Sequence, residues 1–171
     1  MAVGPLTPGR IFLGAGDLTY GTVNIGATVE DTILRIELEQ YFPDFNGTKG
    51  PVDGTGFILE AIPYLEATLT ELRGQFLGWG LPGVTVVSGV SSEVISDYQP
   101  HCKPMGQDLV WTGQDCDGHD ITITLYNAIV ESNLELPFSD NEIVKFRYTW
   151  KGLYDLAAPG TAPISIVIDI A

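Results

Sequence analysis

Four residues of this chain have side chains that could together bind a metal ion: His101, Cys102, Cys116 and His119. Two cysteines and two histidines are a ligand set that closes a tetrahedral zinc site. His101 and Cys102 are adjacent, however, so in an extended strand their side chains would point in opposite directions. We therefore interpret all four as ordinary loop residues. In a reducing compartment the two cysteines are expected to be free thiols, and a disulfide stays open for a protein outside a cell.

A second group of candidate metal ligands lies nearby, where Asp115 and Asp117 precede Gly118. These residues resemble part of a calcium-binding loop of the EF-hand type. In that register the first and last ligand positions fall on Gly113 and Thr124, and neither residue can serve there. The pair Asp117-Gly118 is instead typical of a tight hairpin turn, which is the structure we predict.

Motifs that identify catalytic sites are absent from the sequence. The glycine-rich stretch GAGDLT (14–19) begins like a phosphate-binding loop, but it lacks the third glycine and opens no predicted helix. The chain also has no nucleophile elbow, no zinc-protease motif and no Walker-type lysine. We therefore predict a protein that is not an enzyme and that needs no cofactor and no metal.

The composition is that of a globular and strongly acidic chain. Of 171 residues 44% are hydrophobic, and 22 acids against eight bases give a net charge of −14 that is spread along the sequence. Proteins that hold nucleic acid neutralise its phosphates with Lys and Arg, so specific DNA binding is not expected. No apolar run reaches the ~20 residues of a membrane helix, so no membrane insertion is expected. The first ten residues do not resemble a secretion signal, which predicts a cytoplasmic protein.

Most of the chain shows the period-two alternation of half-buried β-strands. The clearest case is IVKFRYTWK (143–151), in which apolar residues alternate with Lys, Arg and Thr. ITITLYNAI (121–129) and ISIVIDI (164–170) alternate in the same way, and DLVWTGQDCDGHDITITL has the pattern of a hairpin. Further strands are predicted in RIFLG, LTYGTVNIG and GVTVVSGV. The sequence therefore predicts a single all-β domain over 1–171.

One segment departs from this alternation. In LEATLTELRGQFLGWG (65–80) the leucines and the following phenylalanine recur at helical spacing. Thr68 and Glu71 fit a capping box, and Gly78 suits a left-handed helix end. We predict one short α-helix over 68–78.

Two segments with the pattern of unusually long strands flank a loop rich in Gly, Pro and Asn. They are TVEDTILRIELEQYF (28–42) and FILEAIPYLEATL (57–69), and they would form a hairpin that is apolar on one side and mostly acidic on the other. Either of the dipeptides NG and DG would make a tight turn, yet the chain uses the whole segment 40–56. The aromatic residues at its base either pack on their own hairpin or contact a partner; they are Tyr41, Phe42 and Phe45.

The order of these features is distinctive. GRIFLGAGDLTYG comes first, followed by the charged strand TVEDTILRIELE, the GPVDGTG loop and TLTELRGQFLGWG. Next come ITITLYNAIVESNLELPFSDNEIVKFRYTW and the final strand ISIVIDI. In this order, over nearly its whole length, the chain resembles the major tail tube protein of long-tailed bacteriophages.

The resemblance implies a β-sandwich flanked by the helix, with a long β-hairpin that contributes to an oligomeric β-barrel. Hexameric rings would stack into a tube with an acidic channel, through which DNA passes during ejection without specific binding. The implied location is the virion tail, after assembly in the host cytoplasm. The implied partners are further copies of the chain and the tape-measure, tail-tip and tail-terminator proteins.

The same resemblance assigns residues to two surfaces. Candidates for the channel wall are Asp31, Glu37, Glu39 and Glu60. Arg35 on the same face departs from a purely acidic wall, and its predicted partner is an acid of a neighbouring strand. The loop over 40–56 is expected to contact the next ring and to gain structure on stacking. Its candidate contact residues are Phe42, Asp44, Phe45, Lys49, Pro51, Val52 and Asp53. The N-terminal arm over 1–9 is a further candidate for contacts between subunits.

Two other interpretations of the sequence remain open. One is a tail terminator or another tail component of related fold, which would form a single ring and would not support tube growth. The other is an immunoglobulin-like adhesive or receptor-binding module, which accounts for the strands and turns. This second alternative does not explain the predicted helix or the long acidic hairpin.

Overall fold

The computed structural model describes residues 10–43, 47, 52–70, 85–88, 93–96, 106–114, 118–131 and 145–169. Within these ranges the chain forms eleven strands and no α-helix, and hence no helix that is long and apolar enough to cross a membrane. The strands are β1 Arg10–Leu13, β2 Gly16–Tyr20, β3 Val23–Ala27, β4 Val29–Tyr41, β5 Phe57–Leu69, β6 Thr85–Ser88, β7 Glu93–Ser96, β8 Gln107–Gln114, β9 Asp120–Val130, β10 Phe146–Lys151 and β11 Ile164–Ile168. The predicted all-β class is confirmed.

Nine of the strands form one antiparallel sheet that is nearly closed, like a barrel. Their order is β1-β4-β5-β10-β9-β8-β2-β3, and β11 lies beside β9. β6 and β7 pair separately with each other. The predicted sandwich is not confirmed, because the strands of this sheet are joined by one continuous set of pairings. The predicted oligomeric barrel stays a prediction.

The connection from β1 to β2 and the connection from β3 to β4 meet at a corner formed by Gly16 and Thr28. The chain passes from β1 to β2 through Gly14 and Ala15, and it returns from β3 to β4 at Thr28. The Thr28 amide donates to the Gly16 carbonyl oxygen (2.8 Å), and the Thr28 hydroxyl lies 3.2 Å from both the nitrogen and the oxygen of Gly16. The hydroxyl of Thr32 donates to that of Thr28 at 3.1 Å. These bonds, which are partly or fully buried, tie the two crossings together.

The core is formed by side chains from seven strands. They are Leu18, Tyr20, Ile25, Leu34, Leu65, Ala67, Leu69, Leu109, Trp111, Ile123, Leu125, Ala128, Phe146, Tyr148 and Trp150. In β10 the predicted alternation is confirmed, since its aromatic residues are buried and Arg147 between them is exposed. Burial raises the pKa of the Tyr148 hydroxyl to about 12. Seven strands therefore share one hydrophobic interior.

The predicted helix does not begin at Thr68. β5 continues through Leu69, and its last two residues pair with Arg147 and Phe146 of β10. Leu65 and Leu69 are both buried on the core face of this strand. A spacing of four residues fits one face of a helix and also one face of a strand, which explains why the pattern was misleading. Residues 71–78 of the predicted helix lie outside the described residues, as does the N-terminal arm over 1–9.

Two other strand predictions need correction in detail. In β9 the alternation breaks at Asn127, whose φ is +49°. Ala128 is therefore buried, while Ile129 is only partly buried and pairs with Lys151. In β11, Ile164 packs against the core, whereas the two isoleucines that follow it at alternate positions are exposed. The hairpin of β8 and β9 is confirmed, with Gly118 at a φ of +88° in the connection.

The corner gives a test of the fold, because Gly16 has no room for a side chain. A Cβ atom there would lie 2.5 Å from the Trp111 ring and 2.6 Å from the Thr112 carbonyl oxygen. We expect Gly16→Ala to lower the free energy of unfolding by about 1–3 kcal/mol through overpacking. Gly14→Ala is the matched control, because no atom lies within 4 Å of a Cβ placed there. Denaturant unfolding of both variants measures the difference, and equal stabilities would contradict the corner.

Candidate assembly surface

The outer halves of β4 and β5 extend beyond their neighbours in the sheet. Each strand has 13 residues. β1 pairs with β4 only over Thr32–Arg35, and β10 pairs with β5 only over Tyr64–Leu69. The segments Ile36–Tyr41 and Phe57–Ile62 pair, among the described strands, only with each other. We call these two segments the distal ribbon. Gln40 and Tyr41 belong to it, so the loop predicted over 40–56 begins two residues later, at residue 42.

One face of the distal ribbon continues the hydrophobic core out into solvent. Along β4, Leu34 is fully buried, Ile36 is partly buried and Leu38 is 37% exposed. On β5, Ile58 is opposite Gln40 and is 64% exposed. Apolar residues thus extend past the point where the sheet can bury them. Exposed apolar side chains grouped on one face are typical of interaction sites, which makes this face a candidate.

The opposite face of the distal ribbon is acidic. Glu39 and Glu60 are direct cross-strand partners, and Glu37 is opposite Ile62. Residues two apart on a strand share a face, so the register brings together three of the four acids predicted for the channel wall. The fourth, Asp31, lies in β4 within an irregular step of the register, and its side chain lies outside the described part of the chain.

Basic residues neutralise the acids near the body of the sheet. Arg147 bonds Glu66 at 2.6 Å, and Lys151 lies 3.4 Å from Glu131. Burial acts to lower the pKa of Lys151, but the Glu131 carboxylate and the neighbouring tyrosine outweigh it and raise that pKa. The charged groups of this part of the face are therefore matched in pairs.

Arg35 marks the border between the neutralised and the acidic parts of this face. Its guanidinium lies 2.9 Å from Glu37 and 4.6 Å from the centre of the Tyr64 ring. The predicted partner, an acid on a neighbouring strand, is thus replaced by an acid on the same strand. Farther out, Glu39 and Glu60 have no ion-pair partner within the described residues. Among the described side chains, the unpaired negative charge of this face therefore lies on the distal ribbon.

The tip of the ribbon carries large exposed side chains that sequence analysis only partly identified. Tyr41 is 54% exposed and is opposite Phe57, which is 61% exposed. Leu59 is equally exposed and has no partner on β4, because the register slips by one residue there. Strict alternation along β5 would place Phe57 on the same face as Ala61 and Leu65, and the slip moves it to the opposite face. The apolar run Phe57–Leu59 is the feature of the sequence that could have indicated these exposed side chains.

The loop beyond the tip is described only in part. The ring of Phe42 covers Gly56, so this aromatic residue packs partly on its own hairpin. Val52 and Asp53 lie in a turn, in which the amide and the hydroxyl of Thr55 both donate to the Val52 carbonyl oxygen. The remaining predicted contact residues lie outside the described residues; they are Asp44, Phe45, Lys49 and Pro51.

The residues first considered for metal or phosphate chemistry are not brought into one site in the part that is described. Of the two cysteines and two histidines, only His119 lies there. The described ranges contain no group of three or more His, Cys, Asp or Glu side chains that could hold a metal ion. Of the glycine-rich stretch 14–19, only Gly14 and Ala15 lie between two strands, and the other four residues begin β2.

The pairing of Glu39 with Glu60 predicts a repulsion that a substitution relieves. We expect Glu60→Gln to raise the free energy of unfolding by a few tenths of a kcal/mol at low salt, because like charges directly opposite each other destabilise a sheet. The gain should shrink as salt is added. Glu66→Gln is the control, because it removes the bond to Arg147 and brings no gain. Denaturant unfolding at two salt concentrations measures both; a loss of stability in Glu60→Gln would refute the repulsion.

Comparison with known proteins adds no further assignment: no protein-family model and no curated protein matches this sequence.

Proposed function

We propose that this chain is a structural subunit of a bacteriophage tail tube, in which hexameric rings stack into a conduit for DNA. Its role is assembly rather than catalysis. The observation that carries the proposal is the distal ribbon, two paired strands that extend past the enclosed part of the sheet. An extension with exposed apolar side chains suits contact between copies better than it suits an isolated chain.

The apolar side chains supply the driving force for this assembly. Full burial of a side chain such as Ile or Leu contributes about 1.5–3 kcal/mol. Ile58 and Leu59 are both more than 60% exposed, so each has about 1–2 kcal/mol still to gain. Repulsion between acids brought together by assembly costs a few tenths of a kcal/mol per pair and is screened by salt. Burial therefore outweighs the repulsion.

The ribbon edges supply the geometry. Beyond the contacts with β1 and β10, the outer backbone groups of the ribbon face no other described strand. An exposed strand edge pairs readily with a strand of another copy. Ribbons added side by side would form a continuous wall. One face would be apolar, and the other would be acidic with the aromatic pair of Tyr41 and Phe57 at its tip.

The acidic face then suits a channel for DNA. Glu37, Glu39 and Glu60 would repeat around the ring and repel the phosphates, so that DNA passes without binding. The loop that starts at residue 42 would reach the neighbouring ring. The tail-tip, tape-measure and terminator proteins are the expected partners, and assembly would take place in the host cytoplasm before incorporation into the virion.

Negative-stain electron microscopy and light scattering across a concentration series test the proposal. We expect rings or hollow tubes of uniform width from the wild-type chain. Ile58→Ser should raise the concentration needed for assembly about 5- to 30-fold, since about 1–2 kcal/mol of burial is lost. Leu156→Ser is the matched control, because Leu156 is 95% exposed and lies outside the ribbon. Equal effects of the two substitutions would contradict the role of the ribbon.

Deletion of residues 46–56 separates ring formation from stacking. A tube subunit should keep its fold and form rings that no longer stack, whereas an adhesive module should keep its oligomeric state. A tail terminator would form single rings with or without the loop. Wild-type monomers at every concentration, even with added tail-tip complex, would contradict the tube.

A further inference from the structure

The edge of β5 that faces away from β4 changes its partner at Pro63. Up to Tyr64 this edge pairs with β10. The next contact is made by Gly152, whose amide donates to the Pro63 carbonyl oxygen at 2.9 Å. Residues two apart on a strand direct their backbone groups to the same side. The amide and carbonyl of Ala61 therefore face this same edge, beyond the end of β10.

The hydroxyl group of Tyr154 forms hydrogen bonds with both the amide and the carbonyl group of Ala61. The Ala61 amide donates to the hydroxyl oxygen of Tyr154 at 2.9 Å, and that hydroxyl donates to the Ala61 carbonyl oxygen at 3.1 Å. A tyrosine hydroxyl is one donor and one acceptor. It therefore satisfies the two groups that a residue of an added strand would otherwise pair with.

The backbone around Tyr154 holds its side chain in this position. The amide of Leu153 donates to the Tyr126 carbonyl oxygen at 3.2 Å. On the other side, Asp155 begins a turn in which its carboxylate accepts from the Ala157 amide at 2.9 Å. The hydroxyl thus reaches β5 from a chain segment that is fixed on both sides.

We propose that Tyr154 is a displaceable cap on the β5 edge, which a strand of a second copy replaces during assembly. This inference rests on the proposed function, since it names the step that controls strand addition. The cap contacts Ala61 of the distal ribbon, so a strand cannot pair along Phe57–Ile62 without removing it. A free edge invites pairing with any exposed strand, and a side chain that occupies it delays pairing until enough copies are present. In the assembled wall the Ala61 groups bond to the added strand, and the Tyr154 hydroxyl is released.

The substitution Tyr154→Phe tests the cap, because it removes the hydroxyl and keeps the ring. We expect the threshold concentration for assembly to fall by about fivefold or more, the equivalent of the two hydrogen bonds that no longer have to be broken. Light scattering and negative-stain microscopy measure the threshold. Amide hydrogen exchange at Ala61 in the monomer should become faster in this variant. Tyr126→Phe is the matched control, because Tyr126 is partly exposed and makes no hydroxyl hydrogen bond within the described residues.

The outcomes separate this inference from the proposed function. Rings formed by the wild type and by Tyr154→Phe at the same threshold would overturn the cap and leave the tube standing. A higher threshold in Tyr154→Phe would overturn the cap as well, by showing that the bond supports the assembled form. Unchanged exchange at Ala61 would show that the bond is not formed in solution. Absence of rings from every variant would contradict the tube itself.

Discussion

The arrangement of the molecule depends on the hydrogen bonds between Thr28 and Gly16. They hold together the two points at which the chain crosses from one part of the sheet to the other. A side chain at residue 16 would meet Trp111 and Thr112 of β8, so the packing beside this corner requires glycine. The crossings allow β1 and β4 to lie at one end of the strand order and β2 and β3 at the other. The result is a nearly closed sheet around one core.

The sheet encloses β4 and β5 only in part. Their inner halves are covered by β1 and β10 and contribute buried leucines to the core. Their outer halves have no such neighbours among the described strands, although the apolar pattern continues through Leu38 and Ile58. The ribbon therefore carries apolar residues like those of the core, but no described strand covers them. In our account other copies of the chain supply the missing neighbours, and the hydroxyl of Tyr154 occupies part of the edge until they do.

The parts of this structure that follow regular alternation could be predicted from the sequence. β10 is the clearest case, because its aromatic residues alternate with charged residues and are buried as predicted. Elsewhere, backbone irregularities interrupt the alternation, so the face on which a side chain lies could not be predicted from it. The positive φ of Asn127 moves Ala128 into the core, and the slip at Leu59 places Phe57 opposite Tyr41. Such steps depend on tertiary contacts and leave no trace in a periodic pattern. The hydrogen bond between Tyr154 and Ala61, which are 93 residues apart, could not be predicted from the sequence either.

The position of the distal ribbon in an assembled particle tests the central claim most directly. A cryo-electron microscopy reconstruction of the wild-type assembly would locate it. Our account predicts that ribbons of adjacent copies lie side by side around a central channel, with Glu37, Glu39 and Glu60 directed into it. Ribbons on the outer surface of the particle, or ribbons without contact between copies, would contradict the account.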